Sequence, residues 1–202
     1  VNYLAHSVLS FGQSDIMVGN MISDFIKGKK QYDYPAGIRR GILLHRFIDQ
    51  FTDNHLATKQ AAVYLKPVAG RYAYAFVDVV YDHFLATDIN FFPDKESLSG
   101  YVLKVYEILM SNSQLLPEKF AAFLPYMVQQ NWLYNYQYNS GVEKSFRGLA
   151  KRAAFPVDPI ATFNTFKTHY NVLRSYYDVF MPEVKIAAEK RLTDLLMVSN
   201  TE

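Results

Sequence analysis

Along this chain of 202 residues, apolar positions recur at intervals of three and four far more often than they alternate. That spacing predicts helices packed through one face rather than strands. Punctuation residues divide the pattern. Ser14-Asp15 reads as a helix start and Gly28 as its stop. Pro35 suits a first-turn position, and the pattern behind it runs to about Asn54. One further segment ends before Pro67, and another runs from Gly70 to Ala86. Asp94-Lys95-Glu96 opens the stretch Leu98 to Met110, and Pro117 opens one that runs through Trp132 to Tyr136. Ser140 to Ala154 keeps the helical spacing. Asp158-Pro159 combines a cap with a first-turn proline, and the long segment behind it is expected to kink or split at Pro182. The expectation is an all-α fold, a single domain over 1–202 of about eight helices, with no internal repeat and no glycine-rich linker.

Composition fits a globular chain of this length, since 50% of residues are hydrophobic and 20% charged. The 16 tyrosines and 15 phenylalanines suit a helical core around a wet cleft. A net charge of +2 gives no global field for nucleic acid. With no cysteine, disulfides, zinc-thiolate sites and cysteine nucleophiles are excluded, and a cytoplasmic location is the simplest expectation. No run of about 18 apolar residues is free of charge, so no membrane span is expected, and the apolar start 1–11 lacks the basic residues of a signal peptide. No phosphate-binding glycine loop, nucleophile elbow or dinucleotide fingerprint is present.

The informative residues are polar groups at positions that the spacing turns inward. In 38–51, Leu43, Leu44, Phe47, Ile48 and Phe51 cover most of a half-circle, while Arg39, Arg46 and Gln50 share a narrow arc that can face water. His45 and Asp49 fall on a third arc, with Ile38 and Ile42, four residues apart on one face. Burying such groups unpaired costs roughly 2–7 kcal/mol for a neutral polar group and more for a charge. They need partners: either each other or a divalent metal. A second cluster lies in Asp78-Val79-Val80-Tyr81-Asp82-His83, where His83 is either a core histidine bonded to a carbonyl or a ligand. A third is Asp24, behind the apolar-spaced Ile16, Met17, Met21 and Ile22. His6 reads as a structural histidine, His55 as a flank or cap of a helix start, and His169 as exposed. Together the clusters offer Asp24, His45, Asp82 and His83 as a hard nitrogen–oxygen ligand set. That set suits Mn²⁺, with Mg²⁺ or Fe²⁺ as alternatives. Ligands projecting inward from several helices are a known way to build such a site.

Several of these segments carry a family resemblance. Asn2-Tyr3-Leu4-Ala5-His6, Gly19-Asn20-Met21-Ile22-Ser23-Asp24-Phe25, the stretch from Gly41 through His45-Arg46-Phe47-Ile48-Asp49 to Asp53, and Asp78-Val79-Val80-Tyr81-Asp82-His83-Phe84-Leu85 resemble the acyl carrier protein phosphodiesterase family. Asn131-Trp132-Leu133 and Gly148-Leu149-Ala150 add weaker matches. The resemblance implies a metal-dependent hydrolase that removes 4′-phosphopantetheine from holo-acyl carrier protein, its substrate and partner. It also implies an HD-domain-like fold, kin to helical phosphohydrolases that use Mn²⁺ or similar ions. The sequence departs from the HD pattern of adjacent His-Asp, because Arg46 follows His45 and the later pair is inverted as Asp82-His83.

The expected chemistry follows. The metal activates water for attack on the phosphodiester, with Asp49 in or next to its ligand shell. Arg46 offers a fork that matches phosphate oxygens, or is an ordinary exposed arginine. Asp49 or Asp53 orients the water or a ligating histidine. Lys27, Lys29 and Lys30 follow Asp24, and Arg39 and Arg40 precede His45; they form either a basic rim that steers an acidic carrier or ordinary surface charge. Two other functions remain open to the same residues. One is an HD-like phosphohydrolase of a nucleotide or small phosphate ester, and the other is a non-catalytic helical module that binds the carrier.

Overall fold

Side-chain caps start three of the helices in the computed structural model, which describes residues 1–197. Among these residues there are eleven α-helices, joined by loops and short 3-10 turns, and no strand. They are α1 (Tyr3–Val8), α2 (Ser14–Ile22), α3 (Ala36–Asn54), α4 (Leu56–Ala69), α5 (Ala73–Ala86), α6 (Lys95–Ser111), α7 (Glu118–Gln129), α8 (Trp132–Asn135), α9 (Asn139–Arg152), α10 (Pro159–Thr168) and α11 (Tyr170–Met197). Asp94 starts α6 by accepting from the Ser97 amide at 2.7 Å, and the Ser97 hydroxyl accepts from the Asp94 amide at 3.3 Å. Asp158 accepts from the Ile160 and Ala161 amides at the start of α10. His55 starts α4 by accepting from the Ala57 amide, as its position in the sequence suggests. His169 is half-buried against the Tyr64 ring rather than exposed.

The all-α expectation holds, with eleven helices in place of about eight, for three physical reasons. The apolar start 1–11 contains α1, too short to show a period. The stretch behind Pro117 breaks at Asn131, which takes a left-handed conformation (φ 48°) and separates α7 from α8. The last segment divides at His169, not at Pro182. Helix α11 runs through Pro182 because Phe180, Met181 and Val184, around the proline, are anchored in the core. Helix α4 likewise passes Pro67 and ends at Gly70, whose φ of +54° suits glycine.

One continuous core joins the helices. Its most tightly approached part is the crossing of α2 and α3. A Cβ on Gly19 would fall inside the Ile38 carbonyl oxygen, and one on Gly41 inside the Ile16 carbonyl oxygen. Two glycines facing one another let the backbones touch. This contact places Asn20 of α2 directly beside His45 of α3.

Helix α1 is held over this crossing by α5. Asp82, fully buried, accepts from the amides of Asn2 (3.2 Å), Leu4 (2.8 Å) and Ala5 (3.2 Å), the otherwise unpaired donors at the start of α1. Its neighbour Asp78 pairs with the Val1 amino group. The structure does not bring Asp82 and His83, expected as metal ligands, together with His45. Both Asp82 oxygens serve the α1 backbone. His83 turns the other way, with Nδ1 2.6 Å from the Tyr136 carbonyl oxygen and Nε2 3.1 Å from the Tyr170 hydroxyl, among Phe84, Phe166 and Tyr170. Adjacent helix residues point about 100° apart, and here they serve different neighbours. Burial lowers the His83 pKa, so the ring is neutral there.

Gly41→Ala should therefore lower stability by about 3 kcal/mol, or roughly 6–12 °C in melting temperature. Gly100→Ala, exposed in mid-α6 with open space around it, should raise stability by about 1 kcal/mol. Thermal melts of the two variants test this; equal shifts would remove the close-packed crossing as the cause.

Candidate metal centre

Three side chains from α1 and α3 converge on one point, the floor of a cleft of about 290 Å³. His6 Nε2 lies 3.2 Å from Asp49 Oδ1, and His45 Nε2 lies 3.1 Å from Asp49 Oδ2. Ligating atoms of His6, His45 and Asp49 all lie within 4.8 Å of one another. The two imidazoles are buried and stack with centroids 4.0 Å apart. Asp49 is half-exposed at the cleft floor, less covered than its apolar arc suggests. Asp24, in the 3-10 turn Ser23–Phe25, reaches in from the rim, with Oδ1 3.1 Å from His45 Nε2.

Asn20 sets the orientation of both rings. Its backbone oxygen is 2.7 Å from His45 Nδ1, so that nitrogen carries the proton. Its side-chain amide nitrogen donates to the His6 carbonyl oxygen and the Ser10 hydroxyl. That leaves Asn20 Oδ1 as an acceptor, 2.7 Å from His6 Nδ1, so this nitrogen is also protonated. Each ring then aims its Nε2 into the cluster, toward a carboxylate, and offers a lone pair there when that nitrogen carries no proton. Two lone pairs and a carboxylate facing one another, with outer nitrogens fixed by hydrogen bonds, form a donor set that fits a divalent cation.

With only protons to balance it, the cluster is strongly polarised. Burial disfavours charge on His45, but the hydrogen bonds and charges of Asp24 and Asp49 outweigh it and hold the ring up at about 9. Burial, together with the charge on His45, brings His6 down to about 4, against the pull of Asp49. Burial opposes ionisation of Asp49 as well, yet the two histidines hold its carboxyl far below the usual range. The hydrogen bond from His45 likewise lowers Asp24. One ring is thus cationic and the other neutral, as expected for two imidazoles in contact.

The other expected site residues divide between wall and rim. Asp53 lines the cleft one turn beyond Asp49, and burial followed by the charge of Asp49 raises its pKa. Arg46 is exposed and does not line the cleft. Its guanidinium donates to Gln31 Oε1 (2.8 Å) and the Ile26 carbonyl oxygen (3.2 Å), contacts that tie it to the 26–31 segment. Lys27, Lys29 and Lys30 are exposed on that segment. Arg39, in the second turn of α3, stacks over Tyr32, and Arg40 beside it is half-buried. Sequence reasoning missed His6 and Asn20. Their signal was present in a histidine and an asparagine inside otherwise apolar segments, both of which carry the family resemblance.

Among the described residues no helix is long and apolar enough to cross a membrane. The family model described as "Acyl carrier protein phosphodiesterase" matches residues 1–184. Curated relatives with the name acyl carrier protein phosphodiesterase include one from Klebsiella pneumoniae (strain 342), 30% identical over 95% of this chain and 99% of its own. A relative from Yersinia pestis is 26% identical over 95% of this chain and 99% of its own. One from Escherichia coli (strain ATCC 8739) has the same identity and the same coverage of each chain. No solved structure matches significantly. The match along nearly the whole chain, through the segments that build the cleft, places this protein in the acyl carrier protein phosphodiesterase family.

Proposed function

We propose that the cleft hydrolyses the phosphodiester that joins the 4′-phosphopantetheine arm to a serine of holo-acyl carrier protein. The reaction adds the oxygen of water to phosphorus and breaks the bond from phosphorus to the serine oxygen. The serine leaves protonated on the apo-carrier, and 4′-phosphopantetheine is the second product. The observation that carries this reading is the convergence of His6 Nε2, His45 Nε2 and Asp49, with both outer nitrogens committed to Asn20. The names of the curated relatives support the choice of substrate.

His6, His45 and Asp49 are the residues that hold a divalent metal in this reading, with Asp24 on its open side. The mixed nitrogen–oxygen set favours Mn²⁺, with Mg²⁺ or Fe²⁺ as alternatives. Such an ion supplies Lewis-acid charge neutralisation and lowers the pKa of water. Asn20 orients both rings. Asp53 handles the proton, since it is the carboxylate on the cleft wall next to Asp49 and its affinity for a proton is raised. Arg46 acts on the partner side by fixing the segment of Lys27, Lys29 and Lys30 beside Asp24. With Arg39 and Arg40, these lysines present positive charge to an acidic carrier, a term that weakens with salt.

Incubation of the protein with holo-carrier and Mn²⁺ should remove the phosphopantetheine mass from the carrier in a mass spectrum, more slowly at high salt. His6→Ala should lose at least about 100-fold in turnover and lose bound Mn²⁺, whereas His83→Gln should keep both. An unchanged carrier with Mn²⁺ bound would reject the substrate; an active His6→Ala would reject the ligand set.

Metal affinity should also depend on pH. His45 is protonated below about 9 and His6 is neutral above about 4, so binding near neutral pH displaces one proton, from His45. The affinity for Mn²⁺ should rise roughly tenfold per pH unit between pH 6.5 and 8.5. Calorimetry in buffers of different ionisation enthalpy measures the proton released; none released would contradict this charge state.

A further inference from the structure

A second and larger cavity, about 600 Å³, adjoins the cleft. Asn2, Tyr3, Asp24 and Leu149 line both spaces, so the second opens from the first at the edge of the histidine–aspartate cluster. Its volume lies in the range of small-ligand sites and is far too small for a protein surface. Its position means that a molecule whose phosphate sat at the cluster would extend its substituent into it.

The lining is mixed in a specific way. Phe123 and Trp132 stack nearly parallel, 11° apart, and with Tyr3 and Tyr136 they give it aromatic walls. Amides and a hydroxyl from Gln130, Asn135 and Ser145 are set among these rings. Gln130 Oε1 accepts from the Trp132 indole, and Asn135 Nδ2 donates to the Gln130 carbonyl oxygen. The other polar atom of each side chain, one donor and one acceptor, remains for a ligand. The one charged residue common to both spaces is Asp24, and Arg152 lines the second. Burial and the charge of Asp24 raise the pKa of Tyr3, which lines both spaces, and the charge of Arg152 opposes them.

Helix α9 supplies one wall through a single face. Lys144, Gly148 and Arg152 recur every four residues, with Gly141, Ser145 and Leu149 beside them. Gly148 keeps that wall flat. A Cβ there would meet nothing closer than an Arg152 guanidinium nitrogen at 3.8 Å. The absence of a side chain at Gly148 is therefore not demanded by packing, since a residue there would extend into the cavity.

We infer that this second cavity is the binding site for the pantetheine part of the arm, holding its amides and dimethyl group between the aromatic wall and α9 while the phosphate lies at the cluster. This rests on the reaction proposed above and adds where the departing group is recognised. Pantetheine is a neutral chain in which amides alternate with short apolar units, and the wall offers amide partners interleaved with aromatic faces.

Trp132 is the single tryptophan of the chain and lines the cavity, so its emission reports occupancy without any need for turnover. Titration with 4′-phosphopantetheine, and with pantetheine alone, should change Trp132 emission to saturation. Gly148→Leu should weaken both titrations at least tenfold and lower kcat/KM on holo-carrier at least tenfold, with bound Mn²⁺ and melting temperature not reduced. Gly100→Ala, on α6 outside both cavities, should titrate like the parent protein. Silence of Trp132 at saturating phosphopantetheine, or full carrier turnover by Gly148→Leu, would overturn the assignment. If the parent protein leaves holo-carrier intact, the proposed reaction falls, and the titration alone decides the cavity. A response abolished in Gly148→Leu keeps the assignment, and no response removes it.

Discussion

The whole site depends on how closely α2 and α3 approach. With no Cβ at Gly19 or Gly41, the two backbones meet directly, and the Asn20 carbonyl comes within hydrogen-bond reach of His45. Any larger residue at the crossing would push that carbonyl away and leave His45 Nδ1 buried without an acceptor, at a cost of about 1–3 kcal/mol. Asn20 then passes the constraint to α1, where its side chain holds both the ring and the backbone of His6. One buried asparagine thus orients both imidazoles, and packing geometry becomes electrostatic geometry.

The second constraint comes from the opposite side. Helix α1 has only six residues and would not be stable alone. Asp82 collects three of its unpaired amides and anchors it to α5. Burial pushes the Asp82 carboxyl up to about 7, outweighing the downward pull of these amides. His6 reaches the cluster because its helix is fixed at one end by Asp82 and in the middle by Asn20. The cluster is therefore assembled from three separate stretches of chain, none of which makes the site by itself.

This explains what could be read from the sequence and what could not. The pair His45 and Asp49 was legible because four residues on a helix bring side chains together whatever the tertiary fold. Asp24 was legible as a polar residue ending an apolar pattern. Asp82 and His83 drew attention for a sound reason, as buried polar groups that need partners, but sequence does not say which partner a buried group finds. Asp82 found backbone amides and His83 found a carbonyl and a hydroxyl. His6 was missed because its helix is too short to display a period, and because its place beside His45 is a long-range consequence of the Gly19–Gly41 crossing. Helix termini marked by caps, at Asp94 and Asp158, were read correctly, whereas Pro67 and Pro182 did not stop their helices because core packing on either side outweighed one lost hydrogen bond.

The ligands proposed for the metal are His6, His45 and Asp49, and not the Asp82-His83 pair. Anomalous diffraction at the manganese edge from crystals grown with Mn²⁺ tests this directly. The expected result is a peak between His6 Nε2, His45 Nε2 and the Asp49 carboxylate. A peak at Asp82 and His83, or none in the cleft at saturating Mn²⁺, would contradict it.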